Sequence, residues 1–228
     1  MTEHKRLTLF AGHYGSGKTN IAVNYALLLA SEGKNVCIAD LDIVNPYFRT
    51  ADSAEDLEKA GVKLISPQYA NTNVDLPALP AESYRLVQDK SVWGIMDIGG
   101  DDRGAYALGR FVPYILQENN YRMAFVVNSC RPLTQTPEDA LEIMREIEAA
   151  CGLPFTCIVN NTNLGELTTP QIVEDSVDYI KRLSQLSGLP LWLHTAEAGL
   201  ARQLKLTDAP VMPMQLQKKY FDLPRLSV

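Results

Sequence analysis

Short apolar runs alternate with longer amphipathic segments along most of the chain. The apolar runs predict buried strands at residues 7–11, 35–40, 62–65, 92–97, 123–128, 155–160 and 189–194. Apolar residues at helical spacing predict helices at 21–29, 54–60, 81–88, 105–118, 137–150 and 170–186, and a short helix from 196 precedes an irregular tail. Strands that alternate with helices form parallel sheets covered on both faces. We therefore predict an α/β fold, a three-layer α/β/α arrangement around a mostly parallel sheet.

The composition predicts one soluble domain. The 228 residues are 46% hydrophobic, and they show no repeat and no linker-like shift, so we expect a single domain over residues 1–228. A net charge of −6 argues against binding to nucleic acid or to an anionic membrane. Residues 1–6 contain no signal-peptide core, and the basic, amphipathic terminal helix of a membrane anchor is missing. The four cysteines are widely spaced, which suits a reducing compartment. We expect a cytoplasmic protein.

The most specific motif lies between the first predicted strand and the first predicted helix. Residues 12–19, the phosphate loop, read Gly-His-Tyr-Gly-Ser-Gly-Lys-Thr and fit the pattern G-x-x-x-x-G-K-[ST]. The glycines let backbone N–H groups surround an anion, and the positive end of the following helix faces the same phosphates. The motif therefore predicts a P-loop NTPase with the nucleotide-binding residues Gly12, Gly15, Ser16, Gly17, Lys18, Thr19 and Asn20.

Two residues of the phosphate loop have predicted chemical roles. The Lys18 ammonium extends to the β- and γ-phosphate oxygens, where it stabilises charge during catalysis. The Thr19 hydroxyl is placed to ligate Mg²⁺. We expect ATP and Mg²⁺ to be bound together.

Polar residues end four of the predicted strands, at Asp40, Asp97, Asn128 and Asn160. In a parallel sheet these carboxyl ends form the edge at which ligands bind. We expect Asp97 to hold Mg²⁺ through water, opposite Thr19, and Asp40 to contribute to the same metal site. The alternative for both carboxylates is a cap or a turn.

The residues that follow these two strands have predicted roles at the γ-phosphate. Asp42 lies on the next loop and is the candidate to orient or deprotonate the attacking water. The Gly100 backbone N–H is placed to approach the γ-phosphate, as in a switch that detects this group. A turn is the alternative for Asp42 as well.

The choice of base is predicted from the end of the strand at 155–160. Guanine-specific loops use an aspartate, usually in N-K-x-D, whereas residues 160–163 here are Asn-Asn-Thr-Asn. An amide accepts from the adenine N6 amino group and donates to N7, so Asn160 favours ATP over GTP. The alternative is that these asparagines cap a turn.

Together these motifs resemble the MinD/ParA branch of P-loop ATPases, which includes the CobQ/CobB-type nucleotide-binding domains. The resemblance covers nearly the whole chain, through Gly12–Thr19, Asp40-Leu41-Asp42, Asp97–Gly100 and Ile158–Asn161. It implies that Asp42 positions water, that Asp97 begins the second switch and that Asn160 touches adenine. It also implies an ATP-dependent homodimer that acts on a protein partner.

One position departs from this family. The family's loop usually contains a signature lysine, in K-G-G-x-G-K-[ST], that reaches the nucleotide of the partner subunit. His13 and Tyr14 stand at the start of that pattern here, and an imidazole does not replace a permanently charged ammonium. Arg49 and Arg103 are the candidate substitutes, and ordinary structural arginines are the alternative.

Three functions remain open at this point. The first is an ATP-hydrolysing molecular switch that acts on a protein partner, for example in metalloenzyme or cofactor maturation. The second is a biosynthetic enzyme similar to dethiobiotin synthetase or the cobyrinate amidating enzymes. The third is a nucleotide-binding regulator with little hydrolysis, which the missing signature lysine suggests. The intact Asp-x-Gly-Gly at residues 97–100 favours the switch.

Overall fold

A computed structural model describes residues 3–41, 50–66, 81–99 and 102–216. The strands are β1 (Leu7–Ala11), β2 (Val36–Leu41), β3 (Lys63–Ile65), β4 (Trp93–Ile98), β5 (Tyr121–Val127), β6 (Cys157–Asn160), β7 (Leu191–Glu197) and β8 (Val211–Met214). The helices are α1 (Lys18–Ser31), α2 (Ala54–Lys59), α3 (Arg85–Gln88), α4 (Asp102–Gly109), α5 (Val112–Glu118), α6 (Pro137–Cys151), α7 (Pro170–Ser187) and α8 (Ala198–Ala201). Most of the loops predicted at 41–49 and 66–80, and the end of the tail, lie outside the described residues.

All eight strands belong to one sheet in the order β3-β2-β4-β1-β5-β6-β7-β8. Every neighbouring pair is parallel, so the predicted α/β class is confirmed. The strand β8 lies in the tail that the sequence predicts to be irregular, because its Pro213 disfavours a strand. Pro213 is exposed on the edge strand of the sheet, where the lack of a backbone N–H is tolerated.

The core consists of two apolar layers, one on each face of the sheet. Alternate residues of β1 separate accordingly: Leu7 and Leu9 belong to one cluster, and Phe10 belongs to the other. The first cluster includes buried residues of α3 to α7, and the second includes those of α1 and α2. The predicted three-layer arrangement is therefore confirmed.

The predicted helix at 105–118 is wrong in one respect, because the structure has two helices there. The helix α4 ends at Gly109, and α5 begins at Val112 with Pro113 in its first turn. A proline has no backbone N–H to donate and is tolerated in a first turn but not inside a continuous helix. One helix therefore ends and a second one begins within the predicted segment.

The two longest helices on this face begin with matching sequence signals. Thr136 accepts a hydrogen bond from the Asp139 backbone N–H at the start of α6, and Thr169 accepts one from Ile172 at the start of α7. A proline follows each threonine at the first helical position.

In the described ranges, no helix combines the length and apolar character needed to cross a membrane.

A buried ion pair joins the strands at the edge opposite the phosphate loop. The Arg6 guanidinium contacts both carboxylate oxygens of Glu118 and donates to the carbonyls of Leu86 (2.9 Å) and Val92 (2.7 Å). Burial alone would raise the pKa of Glu118, but hydrogen bonds from Arg6 and Lys90 hold that pKa below its usual value. Arg6 therefore connects β1, α3, β4 and α5 at their ends.

We predict that Arg6→Ala lowers the free energy of unfolding by about 1.5–3 kcal/mol, because it leaves two buried carbonyls without their donor and removes one of the two cations that pair with Glu118. The measurement is urea unfolding followed by circular dichroism. Arg182→Ala is the matched control, since Arg182 pairs with Glu138 at an exposed site and its loss should cost less than about 1 kcal/mol. Equal losses in the two variants would contradict a structural role for the Arg6 pair.

Candidate nucleotide-binding site

The phosphate loop leaves no space for side chains at two of its glycines. A Cβ atom added to Gly12 would lie 2.2 Å from the Val126 carbonyl oxygen, and one added to Gly17 would lie 2.2 Å from Nδ2 of Asn161. Gly17 also has a φ of 90°, in the left-handed region that side chains rarely adopt. Both positions therefore require glycine, for contacts with β5 and with the end of β6.

Asn161, the residue after β6, holds the phosphate loop from two strands away in the sheet, and it is not among the predicted site residues. Its Nδ2 donates to the Ser16 carbonyl at 2.6 Å, and its Oδ1 accepts from the Thr195 hydroxyl at 2.6 Å. Asn161 and Thr195 are both buried. The phosphate loop is thus connected through Asn161 to β7. In the sequence, the only sign of this contact is that Asn161 directly follows the predicted site residue Asn160.

The amino end of α1 offers unsatisfied donors. Gly17 is the N-cap, no side chain caps the helix and no acidic residue occupies its first turn. The first N–H groups of a helix have no partner within the helix and carry its positive dipole end. Within the described residues, the buried Ser16 hydroxyl also has no hydrogen-bond partner. This arrangement suits an anion.

The predicted cation of the loop is close to this position. Lys18 is 5% exposed, and its Nζ donates to the His13 carbonyl at 3.3 Å. The ammonium group therefore lies against the backbone of the phosphate loop, in the same turn as Thr19. Both residues are buried.

The two predicted metal-binding carboxylates are direct neighbours. Asp40 on β2 and Asp97 on β4 are paired in the parallel register, and both are buried. Thr50 joins them: its backbone N–H donates to Asp40 Oδ2 at 3.3 Å and its hydroxyl donates to Asp97 Oδ2 at 3.4 Å. Thr50 is not among the predicted site residues, because no recognisable motif in the sequence marks it.

The two carboxylates suit Mg²⁺, which takes most of its ligands from phosphates and water, better than a metal ion whose ligands all come from protein side chains. Among the described residues, no group of three His, Cys, Asp or Glu side chains could hold a metal ion. Mg²⁺ typically binds one or two carboxylates and takes its other ligands from phosphates and water. Two adjacent buried carboxylates also repel each other when both are ionised, so a divalent cation would stabilise them.

Asn160 is the last residue of β6, and its amide is bonded inside the protein. Its Nδ2 donates to Ser176 Oγ (2.8 Å) and to His194 Nδ1 (3.0 Å), and its Oδ1 accepts from the Thr162 backbone N–H and hydroxyl. The side chain is 0% exposed. Both amide hydrogens and both carbonyl lone pairs are therefore used inside the protein, and the contact with adenine stays a prediction.

Burial favours the neutral form of His194, the histidine beside Asn160. Burial lowers the pKa of His194, although Asp208 acts in the opposite direction. Since Asn160 donates to Nδ1, the hydrogen-bond pattern assigns the ring proton to Nε2, which donates to Asp208 Oδ1 at 3.1 Å. The buried network thus extends from β6 to the segment before β8.

Several predicted residues lie outside the described part of the chain. These are Asp42 and Gly100, together with Arg49. Arg103 falls in α4, but its side chain is not described. Another arginine, which the sequence analysis missed, contacts the phosphate loop: Arg131 Nε donates to the Gly15 carbonyl at 3.0 Å. The turn after β5 carries no motif that marks this residue.

Solved structures share this arrangement of strands and helices. FtsY from Thermotoga maritima superposes with a TM-score of 0.57 at 18% identity, over 86% of this chain and 63% of that chain. Chloroplast FtsY from Physcomitrella patens gives 0.53 at 15%, over 85% and 59%. The 54 kDa signal recognition particle protein from Aeropyrum pernix, in complex with GDP, gives 0.50 at 16%, over 84% and 41%. The chain has the P-loop NTPase fold.

These identities show the fold alone. The chain spans about three fifths of the length of the FtsY structures it matches. No protein-family model matches the sequence. No curated protein matches it either. The resemblance to the MinD/ParA branch therefore stays a prediction within the wider class of P-loop NTPases.

We predict that Gly17→Ala destabilises the protein more than Gly33→Ala does. Both glycines have positive φ, so each substitution should cost about 1–2 kcal/mol for the backbone. Only the Gly17 Cβ would also collide with a neighbour, which adds about 1–3 kcal/mol, whereas nothing lies within 4 Å of a Cβ at Gly33. Urea unfolding without nucleotide measures both variants.

The double variant Gly17→Ala/Asn161→Ala tests the cause of this difference. Removal of the Asn161 amide takes away the colliding atom, so the two substitutions should cost less together than the sum of their separate effects. Additive effects would show that the contact between Gly17 and Asn161 does not constrain the loop.

Proposed function

We propose that this chain binds ATP with Mg²⁺ and hydrolyses it as a molecular switch that acts on a protein partner. The observation that carries the proposal is the phosphate loop itself. Its backbone is held against β5 and β6 where no Cβ fits, and it leads into an uncapped helix with Lys18 in the first turn. Such a loop binds polyphosphate through backbone N–H groups and one ammonium group.

The neighbouring strands supply the proposed metal site. Thr19, Asp40 and Asp97 would hold Mg²⁺, and the carboxylates of the last two are already side by side. When bound, Mg²⁺ neutralises negative charge on phosphate oxygens. Lys18 would bind the β- and γ-phosphate oxygens, and Asp42 would orient the attacking water as a general base.

The proposal of ATP rests on the absence of a carboxylate at the expected place. Guanine presents N1–H and an amino group, which an aspartate accepts. Residues 160–165, the end of β6 and the segment after it, contain amides and a hydroxyl but no carboxylate. The Asn160 amide is fully bonded inside the protein, so the proposal of ATP does not depend on its contact with adenine, which stays a prediction. Since the structurally similar protein from Aeropyrum pernix was solved with GDP, the test of this proposal compares ATP with GTP.

The switch and the dimer come from the resemblance to the MinD/ParA branch. In that family, the γ-phosphate changes the association of two subunits and the hold on a partner. The Asp-x-Gly-Gly sequence that begins at Asp97 supports this part of the proposal, since Asp97 lies at the carboxyl end of β4 beside the phosphate loop. We therefore propose an ATP-dependent homodimer.

Lys18→Ala should weaken ATP binding by about 100-fold, because a charge-assisted contact with the phosphates is lost. Isothermal titration calorimetry with ATP and Mg²⁺ measures the change, and GTP should bind wild-type protein more weakly than ATP. Lys181→Ala, on the exposed surface of α7, is the control and should bind as the wild type does. A Lys18→Ala variant with wild-type affinity would exclude the proposed site.

Asp42→Asn should slow phosphate release by about 100-fold or more while leaving ATP affinity nearly unchanged, because only the water-orienting carboxylate is lost. Phosphate release is measured in single turnover. Asp178→Asn on α7 is the matched control, since Asp178 is exposed and pairs with Lys181.

The same Asp42→Asn variant tests the switch, because ATP remains intact in it. Light scattering should show a dimer with ATP and Mg²⁺ and a monomer with ADP. Unchanged phosphate release in Asp42→Asn would remove Asp42 from its proposed role. One association state with both nucleotides would contradict the switch.

A further inference from the structure

Arg131 lies against the phosphate loop. Its Nε donates to the Gly15 carbonyl at 3.0 Å, and a Cβ added to Gly15 would lie 3.5 Å from Nε and 3.7 Å from Cζ. The guanidinium group therefore packs on the middle glycine of the loop. This contact brings a permanent positive charge from the turn after β5 to the loop that follows β1.

The turn that carries Arg131 is well anchored. The Arg131 backbone N–H donates to the Asn128 carbonyl, which also accepts from the Thr134 hydroxyl at 2.7 Å. The Asn128 side chain accepts from the backbone N–H groups of Cys130 and Asn163. The position of Arg131 is thus set by the end of β5 and by the loop that follows β6.

Most of the donors of Arg131 remain available. A guanidinium group has five N–H donors. Within the described residues, only Nε forms a hydrogen bond, and no carboxylate pairs with the group. Arg131 is exposed, and among the described residues its two terminal nitrogens form no hydrogen bond. A ligand with several negative oxygens could take these donors without breaking an existing ion pair.

The loop lacks a second cation of its own. His13 occupies the position at which the MinD/ParA branch has its signature lysine, and its Nδ1 is bonded to the Tyr14 carbonyl at 3.0 Å. An arginine is charged at all physiological pH values and binds phosphate oxygens in a fork geometry. Arg131 is therefore a third candidate for the missing charge, after Arg49 and Arg103.

We propose that Arg131 is a nucleotide-binding residue, which supplies within one chain a positive charge to the α- and β-phosphates. The sheet order supports this choice of phosphates. The proposed metal-binding carboxylates lie on β2 and β4, on one side of β1, and Arg131 follows β5 on the other side. The inference rests on the proposed function, because it needs a nucleotide in the phosphate loop.

The experiment compares Arg131→Gln, Arg131→Lys and Arg145→Gln by titration calorimetry with ATP, ADP and AMP. Arg131→Gln should weaken ATP and ADP binding by about 10-fold to 100-fold, and AMP binding less, because a charge-assisted contact with two phosphates is lost. Arg131→Lys keeps the charge and should stay within a few-fold of the wild type. Arg145, exposed on α6, is the matched control and its variant should bind normally.

Two further readouts separate charge from loop geometry. The affinity of Arg131→Gln for ADP should depend less steeply on salt concentration than that of the wild type, since one charged contact is missing. Its unfolding temperature without nucleotide should match that of Arg145→Gln. Equal weakening in the Gln and Lys variants, with an unchanged salt dependence, would show a purely structural role and overturn the inference.

The outcome also distinguishes this inference from the proposed function. Wild-type protein that binds no nucleotide would refute both. Wild-type binding that Lys18→Ala removes and Arg131→Gln leaves intact would overturn only the role of Arg131.

Discussion

The close approach of the phosphate loop to β5 and β6 is the constraint on which the candidate site depends. At Gly12 the backbone passes so near the Val126 carbonyl that a Cβ atom would lie 2.2 Å from its oxygen. At Gly17 a Cβ atom would lie 2.2 Å from Nδ2 of Asn161. Close packing of this sort leaves the loop only one path across the sheet edge. The position of the amino end of α1 relative to the carboxyl end of β1 is thereby fixed.

The polar residues along this edge divide into two groups. The amides of Asn128, Asn160 and Asn161 are engaged with backbone or buried side chains, and they connect the loops after β1, β5 and β6 to one another and to β7. Two charged side chains, those of Lys18 and Arg131, donate to backbone carbonyls of the phosphate loop. A site ordered in advance in this way spends less of its binding free energy on fixing its own groups. The amides therefore fix the geometry of the candidate site, and Lys18 and Arg131 supply its positive charge.

The sequence predicted the parts of this site that depend on local pattern. The phosphate loop is recognisable because its glycines, lysine and threonine are contiguous, and Asp40 and Asp97 because each ends an apolar run. The contacts of Thr50, Asn161 and Arg131 join segments far apart in the chain, and no spacing indicates them. The sequence does not indicate the edge strand β8 for a related reason. Pro213 is compatible with a strand only at the edge of a sheet, and that position depends on the sheet order.

The order of the strands gives the proposed ligand a direction. The carboxylates of Asp40 and Asp97 lie on β2 and β4, on one side of β1, whereas Arg131 and Asn161 follow β5 and β6 on the other. A metal ion bound by the carboxylates would draw the terminal phosphates toward β4, so the nucleoside end would extend toward β6. The proposed loop for γ-phosphate sensing after β4 and the proposed cation for the inner phosphates after β5 then fall at opposite ends of one triphosphate. The same asymmetry explains why a substitution at Arg131 should affect ADP as well as ATP, while one at Asp42 should affect only the cleavage of ATP.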